Sequence, residues 1–374
     1  MKISFLLFLI FLISACNSGN IQMMADPRTD VASGDSATTS TQGNLTGPVV
    51  NQSLIYFEQV NSEGVRPSAT GIGFLSPGAT SPSPFSIGFA NPAAPESVDF
   101  SPTENGVVYL KRDASTSSIV SLEVENFHST AFHAPEAIIT SIASTFDGKM
   151  TAWTDGNGKA YLADPTRAPE SATPLDLGGR FATRIDFAPD QRSAIVATLE
   201  RDSTGISETL LVSVIPGISN PVRVYEGSLG AIDPDSSQIA FLTAKAIVVV
   251  DLASNASRSI PVSAVIRVIV WRNNHELVVQ EETSDGNEDL VLLDTKTSAR
   301  NVVASVALPA GTPHAVVCPT FSGDQLYFGD YQATHFLIRR VNLARNSPAP
   351  ETFAEPSYPG VGYICPKARE RKGN

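Results

Sequence analysis

Residues 230–262 read GAIDPDSSQIAFLTAKAIVVVDLASNASRSIPV, and the reading of this stretch decides the fold. The run from Gly230 closes on Ile232-Asp233-Pro234-Asp235. Gln238–Thr243, Ala246–Leu252 and Ser257–Val262 follow as short runs rich in β-branched residues, which suit a pleated, half-buried surface. Pro, Asp, Ser and Asn stand between them. Pro presets φ for a turn, and the other three bond nearby backbone amides through their side chains. The stretch therefore predicts four strands joined by tight turns, with Gly230–Asp233 as the end of the first.

The same unit recurs on both sides. Phe100-Ser101-Pro102 leads through Asn105-Gly106 into Val107–Lys111, and Ser144-Thr145-Phe146-Asp147-Gly148 into Lys149–Trp153. Phe187-Ala188-Pro189-Asp190 leads into Ala194–Leu199, Trp271-Arg272-Asn273-Asn274 into Glu276–Gln280, and Pro319-Thr320-Phe321-Ser322-Gly323 into Gln325–Phe328. The starts at 100, 144, 187, 232, 271 and 319 are separated by 44, 43, 45, 39 and 48 residues. A period near 40–45 with four short strands is that of a propeller blade. No stretch after the N-terminal segment keeps a 3.6-residue apolar period, so the expected fold is all-β with almost no helix.

The ends of the repeat region predict how the ring closes. Ser53–Val60, Ala69–Leu75 and Pro84–Ala90 read as the second, third and fourth strands of a blade without a first. Val361-Gly362-Tyr363-Ile364-Cys365-Pro366 resembles Ala315-Val316-Val317-Cys318-Pro319, the first strand of the unit before it. The C-terminal strand is thus expected to complete the N-terminal three. This gives seven blades and removes free sheet edges. The alternative is six blades with residues 51–92 as a cap. The domain plan is 51–366 for the propeller and 367–374 for a solvated, mixed-charge tail.

The aromatic-Ser-Pro-Asp-Gly signature, with the exits Asp251-Leu252 and Asp164-Pro165, resembles the TolB-like β-propeller repeat. The matches are Phe100-Ser101-Pro102 and Phe187-Ala188-Pro189-Asp190. The resemblance covers roughly residues 51–366, and no single blade carries the whole motif. The family's namesake has an additional N-terminal α/β domain, for which residues before 51 leave no room. Family members include periplasmic scaffolds and the propeller parts of some peptidases, so the resemblance implies fold more than function.

The N-terminus reads as an export signal. Lys2 supplies a positive charge, Ile3–Ile13 is apolar but for Ser4, and Ser14, Ala15 and Cys16 follow. The apolar run is shorter than the roughly 20 residues that a membrane-spanning helix needs. Ile13-Ser14-Ala15-Cys16 resembles the lipobox of bacterial lipoproteins, with Ile where Leu is commoner. That resemblance implies removal of residues 1–15 and lipid on Cys16. Several acyl chains together anchor a protein stably. The alternative is an ordinary secretory signal in which Cys16 is incidental. Residues 16–50 are rich in Ser, Thr, Gly, Asn and Asp, a composition that cannot bury enough surface to order itself. As a flexible tether they reach roughly 30 Å. Asn17, by resemblance to enteric lipoproteins, points to the outer membrane and leaves the membrane face open.

The formal net charge of -12 argues against non-specific nucleic-acid binding. There is no Gly-x-Ser-x-Gly elbow, phosphate loop or His-Glu-x-x-His motif, so no catalytic, cofactor or metal residues are assigned. His128, His133, His275, His314 and His335 lack metal-ligand spacing, and His128 and His133 read as exposed loop residues. Asp155-Gly156-Asn157-Gly158 and Asp285-Gly286-Asn287-Glu288-Asp289 alternate oxygen ligands as calcium loops do. They lack the Gly and bidentate Glu of such loops, and they read as hairpin turns. Cys318 and Cys365 each precede a proline on strands read as equivalent. Export would place them in an oxidising compartment, where a disulfide across the closure is worth about 4 kcal/mol in the loop-entropy model. Two buried thiols are the alternative.

Three functions follow from this reading. The first is an envelope scaffold that binds a protein partner and is held to the membrane through Cys16. The others are a hydrolase or lyase with a channel-lining site, and a glycan-binding module.

Overall fold

The computed structural model describes residues 54–60, 68–75, 85–93, 98–103, 106–112, 117–123, 128–134, 138–145, 147–164, 172–199, 207–214, 221–307, 320–322, 324–331, 336–344 and 349–354. All regular elements among them are β-strands. The first sheet is β1 (Leu54–Val60), β2 (Ser68–Leu75) and β3 (Phe85–Ala93). The second is β4 (Val98–Pro102), β5 (Gly106–Arg112), β6 (Ser117–Glu123) and β7 (His128–Ala134). The third is β8 (Ile139–Ser144), β9 (Thr151–Asp155), β10 (Ala160–Ala163) and β11 (Thr173–Pro174). The fourth is β12 (Phe181–Phe187), β13 (Ser193–Leu199), β14 (Ser207–Ser213) and β15 (Pro221–Glu226). The fifth is β16 (Ser228–Ile232), β17 (Gln238–Leu242), β18 (Ala246–Asp251) and β19 (Ser257–Pro261). The sixth is β20 (Val265–Asn273), β21 (Glu276–Glu282), β22 (Glu288–Asp294) and β23 (Arg300–Val306). The seventh is β24 (Thr320–Ser322), β25 (Gln325–Tyr331), β26 (Phe336–Asn342) and β27 (Glu351–Ala354).

Each sheet is an antiparallel meander whose strands pair in sequence order. Strand β8 lies against β4 and β5, β12 against β8 and β9, β16 against β13 and β14, and β20 against β16 and β17. The first strand of each of these sheets thus packs on two adjacent strands among the first three of the preceding sheet, as in propeller-like blades. The core is a series of layers between sheets. Val278 and Leu290 of the sixth sheet meet Leu326, Phe328 and Ile338 of the seventh. On the other side, Leu277, Val279 and Leu293 meet Ala240, Ile247 and Ile260 of the fifth. Alternate residues of one strand therefore serve two different core layers. This explains why the strands read as near-continuous apolar runs rather than strict alternation.

The recurrent signature forms the turn between first and second strands, and from the second sheet to the seventh it ties neighbouring sheets together. The Ser144 amide donates to Ser101 Oγ at 2.9 Å, and the Asp147 amide to Gln191 Oε1 at 3.3 Å. The Asp190 amide donates to Ser236 Oγ at 3.0 Å, and Gln238 Nε2 to the Asn274 carbonyl at 2.8 Å. Asn274 Nδ2 also donates to Asp235, and Arg272 pairs with Asp324 of the seventh sheet. A belt of polar links thus runs along the signature end from the second sheet to the seventh. Gly148, Gln191 and Ser236 share one place in these turns, with φ of 70°, 59° and 56°. That is the left-handed conformation the motif's glycine serves.

The three runs expected to start the folded region are β1, β2 and β3, and they form a three-stranded sheet among the described residues. The segment expected to complete it, Val361–Pro366, lies outside the described residues, as do Ala315–Pro319.

Candidate functional site at the bulged strand ends

At the end opposite the signature turns, four consecutive first strands carry a β-bulge near their starts. The ladder shifts between Ile139 and Ser141 in β8, Ala182 and Arg184 in β12, Ser228 and Ala231 in β16, and Ile266 and Val268 in β20. A bulge leaves one residue out of the ladder and re-aims its side chain. Thr140 Oγ1 lies 2.8 Å from Thr154 Oγ1, and Thr183 Oγ1 donates to the Ala197 carbonyl at 3.1 Å. In β16, Leu229 takes φ 55°, and a Cβ on Gly230 would stand 2.3 Å from Thr209 Cγ2, so only glycine fits there. In β20 the extra residue is Arg267, and it forms an ion pair with Glu282.

Around Arg267 lies a group of buried and partly buried polar side chains. Glu282 stands directly opposite Glu288 in the β21–β22 ladder, and Gln280 opposite Leu290. Gln280 and Glu288 are both 0% exposed, while the Arg267 and Glu282 side chains retain 12% and 21%. Burial pushes the Glu288 carboxyl up to about 7. The Arg267 charge and a hydrogen bond from Gln280 oppose that rise, and the charges of Glu282 and Asp289 add to it. The Arg267 guanidinium thus pairs with the partly exposed Glu282 and lowers the cost of charge on the buried Glu288. The cluster can hold a proton near neutral pH.

The loop beside it is a hairpin turn. The Thr283 amide donates to the Asn287 carbonyl at 2.8 Å, and Gly286 has φ 82°. Thr283 Oγ1 and Asn287 Nδ2 both donate to the Asp285 carboxylate, which holds it below the usual carboxylate range. The corresponding turn in the third sheet is built on Asp155. Its Oδ1 accepts from the Asn157 and Lys159 amides at 2.9 Å each, and its Oδ2 from Tyr161 Oη at 3.3 Å. Burial, then the Asp155 charge, raise the Tyr161 phenol. In both stretches the first aspartate, Asp155 or Asp285, accepts hydrogen bonds that close the turn, as the hairpin reading expects.

Cys16, Cys318, Cys365, His314 and His335 lie outside the described residues. His128 and His133 do not sit in a loop, as the sequence suggested. They belong to β7, paired with Glu123 and Ser118 of β6, because the segment continues the meander. The sequence reading missed Arg267, Gln280 and Glu282 and saw Glu288 only as part of a turn. The available signal was polar residues at strand positions 280 and 288, where their neighbours Val278 and Leu290 are core. Among the described residues no three His, Cys, Asp or Glu side chains gather as a metal-binding group.

No family model and no curated protein matches the chain. The fold is shared with solved structures of low identity. A Bacteroides uniformis structure provisionally described as a 6-phosphogluconolactonase is similar over 84% of this chain and 97% of its own, at 10% identity and TM-score 0.54. The Pyrococcus horikoshii acylaminoacyl peptidase is similar over 68% of this chain and 45% of its own, at 11% identity and TM-score 0.51. A structure provisionally described as TolB from Agrobacterium tumefaciens is similar over 64% of this chain and 89% of its own, at 14% identity and TM-score 0.44. At such identities the likeness concerns the fold alone.

Proposed function

We propose that this chain is a bacterial lipoprotein, held on the outer membrane through lipid on Cys16, whose TolB-like propeller binds an envelope protein as a scaffold. The observation that carries the reading is the order of segments at the N-terminus. A charged start, a short apolar run and Ile13-Ser14-Ala15-Cys16 are followed by a polar stretch long enough to hold a domain off the bilayer. The net charge of -12 favours a partner with a basic face, since complementary fields steer encounter and select against wrong partners. In this reading the domain has seven blades. The strand Val361–Pro366 completes the sheet that has three strands among the described residues, and a Cys318–Cys365 bond secures the junction.

Fractionation tests the anchor. Cys16→Ser is expected to move the protein from the membrane pellet to the soluble fraction, and a mutant that still sediments after a high-salt wash overturns the lipid anchor. Crosslinking in intact envelopes, followed by mass spectrometry, tests the scaffold. A stoichiometric envelope protein is the expected product. Retention on peptidoglycan or polysaccharide with no crosslinked protein favours the glycan-binding alternative.

A further inference from the structure

The hairpin turn built on Asp155 carries the pair Asn157-Gly158, and the fold dictates its second member. Gly158 takes φ 76°, and a Cβ on it would stand 2.3 Å from Phe181 Cδ2 of the fourth sheet. Only glycine fits there, while Asn157 itself is exposed at the tip. An asparagine followed by glycine is open to attack by the next main-chain nitrogen on its side-chain amide, because no Cβ screens that nitrogen. The turn is also a junction. Its Gly156 amide donates to the Ile138 carbonyl at 2.7 Å, and its Gly158 carbonyl accepts from the Ala182 amide of β12 at 2.8 Å. The same geometry recurs in the sixth sheet with another residue at its tip. The Gly286 amide donates to the Thr283 carbonyl at 3.0 Å, as that of Gly158 does to the Asp155 carbonyl at 3.0 Å, so Asp285-Gly286 stands where Asn157-Gly158 does. Asp285 has no amide to lose, and its carboxylate is engaged by Thr283 Oγ1 and Asn287 Nδ2.

We propose that Asn157 is a site of spontaneous deamidation, and that its conversion loosens the junction of the third and fourth sheets as the protein ages. The Gly158 nitrogen gives up its proton and bonds to Asn157 Cγ. The bond from Cγ to Nδ2 then breaks, and ammonia departs with a proton. Water opens the cyclic imide at either carbonyl and leaves aspartate or isoaspartate, so the sum is amide plus water to acid plus ammonia. In the closed turn the Gly158 amide is held by Asp155, and ring closure runs through an opening of the turn. An exposed hairpin tip opens at low cost. Isoaspartate carries the chain through its own Cβ and Cγ, one methylene longer. The Asp155 amide then no longer meets the Lys159 carbonyl, now at 2.9 Å, while Gly158 also holds Ala182. Both products place a negative charge beside the Asp155 carboxylate, which is 2% exposed and accepts from the Asn157 amide at 2.9 Å.

The test stores the intact chain at neutral and mildly alkaline pH and maps its peptides by mass spectrometry at intervals. Asn157 is expected to become a mixture of isoaspartate and aspartate, at a rate that rises with hydroxide concentration, while Asp285 in the same digests stays aspartate. Amide exchange at Ala182 is expected to be several-fold faster in the stored protein than in the fresh. Asn157→Ser, which has no side-chain amide, is expected to keep its initial Ala182 exchange on storage. An Asn157 that keeps its amide in the folded chain, over the time in which the chain unfolded in guanidinium chloride loses it, overturns the site. Conversion with unchanged Ala182 exchange, or a rise that Asn157→Ser shares, overturns the loosening of the junction.

Discussion

Ser298 and Asn255 hold the same place in two equivalent turns, and they show how closely a residue's role follows from local bonding. Asp251 Oδ1 accepts from the Ala253 and Ser254 amides at 3.1 and 2.7 Å. Asp294 Oδ1 does the same for Lys296 and Thr297 at 2.8 and 2.7 Å. These bonds, led by the backbone of Ser254 and Thr297, hold both carboxyls below the usual range. Each turn then needs a left-handed residue, and Asn255 and Ser298 have φ of 61° and 62°. Asparagine visits that region readily, whereas for other L-residues it costs about 1–2 kcal/mol. Glycine removes that cost but has more freedom to lose from the unfolded chain, about 0.5–1 kcal/mol. Ser298→Gly is therefore expected to stabilise the domain by about 0.5 kcal/mol, read as a shift in urea midpoint with unchanged slope. At this scale the sequence was partly legible. Turn chemistry showed through, because it depends on neighbours in the chain. The environment of Glu288 did not, because it depends on Arg267 and Gln280, which strand pairing brings to it.

The first-to-second strand turn shows what the repeated signature does at the scale of an element. Asp233 is 0% exposed, and its carboxylate accepts from the Ser237 amide at 2.7 Å, the Gln238 amide at 2.9 Å and the Ser237 hydroxyl at 2.7 Å. Asp190 stands two positions further along the corresponding turn of the preceding repeat, at the place of Asp235, and has an exposed carboxylate that accepts from the Arg192 and Ser193 amides at 2.9 and 3.2 Å. Removing the buried acceptor leaves donors that water cannot reach easily, whereas water replaces the exposed one. Asp233→Ala is expected to cost about 2–3 kcal/mol and Asp190→Ala under about 1 kcal/mol in chemical unfolding. Equal losses would show that the turn, rather than its burial, sets the energy. The strands of this unit were legible within a residue or two. Gln238–Thr243 and Ala246–Leu252 are observed as Gln238–Leu242 and Ala246–Asp251. Periodicity and turn residues are local signals. The bulges were not legible, since no one residue type marks them, threonine at 140 and 183 but arginine at 267, and only their pairing partners reveal them.

For the whole molecule, the question is what holds a row of sheets together when each nests only on its neighbours. Stability in such an array comes from the interfaces, so an end sheet with one face unmatched is the weak point. The inter-sheet belt at the signature turns and the alternating core layers serve every junction from the second sheet to the seventh. The first sheet, β1-β2-β3, has one strand fewer than the other six among the described residues. The proposed closure supplies that strand from Val361–Pro366, so the two ends of the chain would share the first blade and no edge of β1 would stay open to pairing with other chains. Deleting the chain from Tyr358 onward tests this. If the tail were a frayed end, the loss would be within about 0.5 kcal/mol, as for surface changes in general. If it is an inner strand, the deletion removes a full ladder and part of two core layers. The expected result is then a drop in melting temperature of many degrees together with a tendency to self-associate, seen by calorimetry and light scattering. Deleting only Lys367–Asn374 is expected to change neither, which separates the strand from the tail behind it. An unchanged melting temperature in the longer deletion would refute the shared blade and leave residues 51–92 as a cap on six.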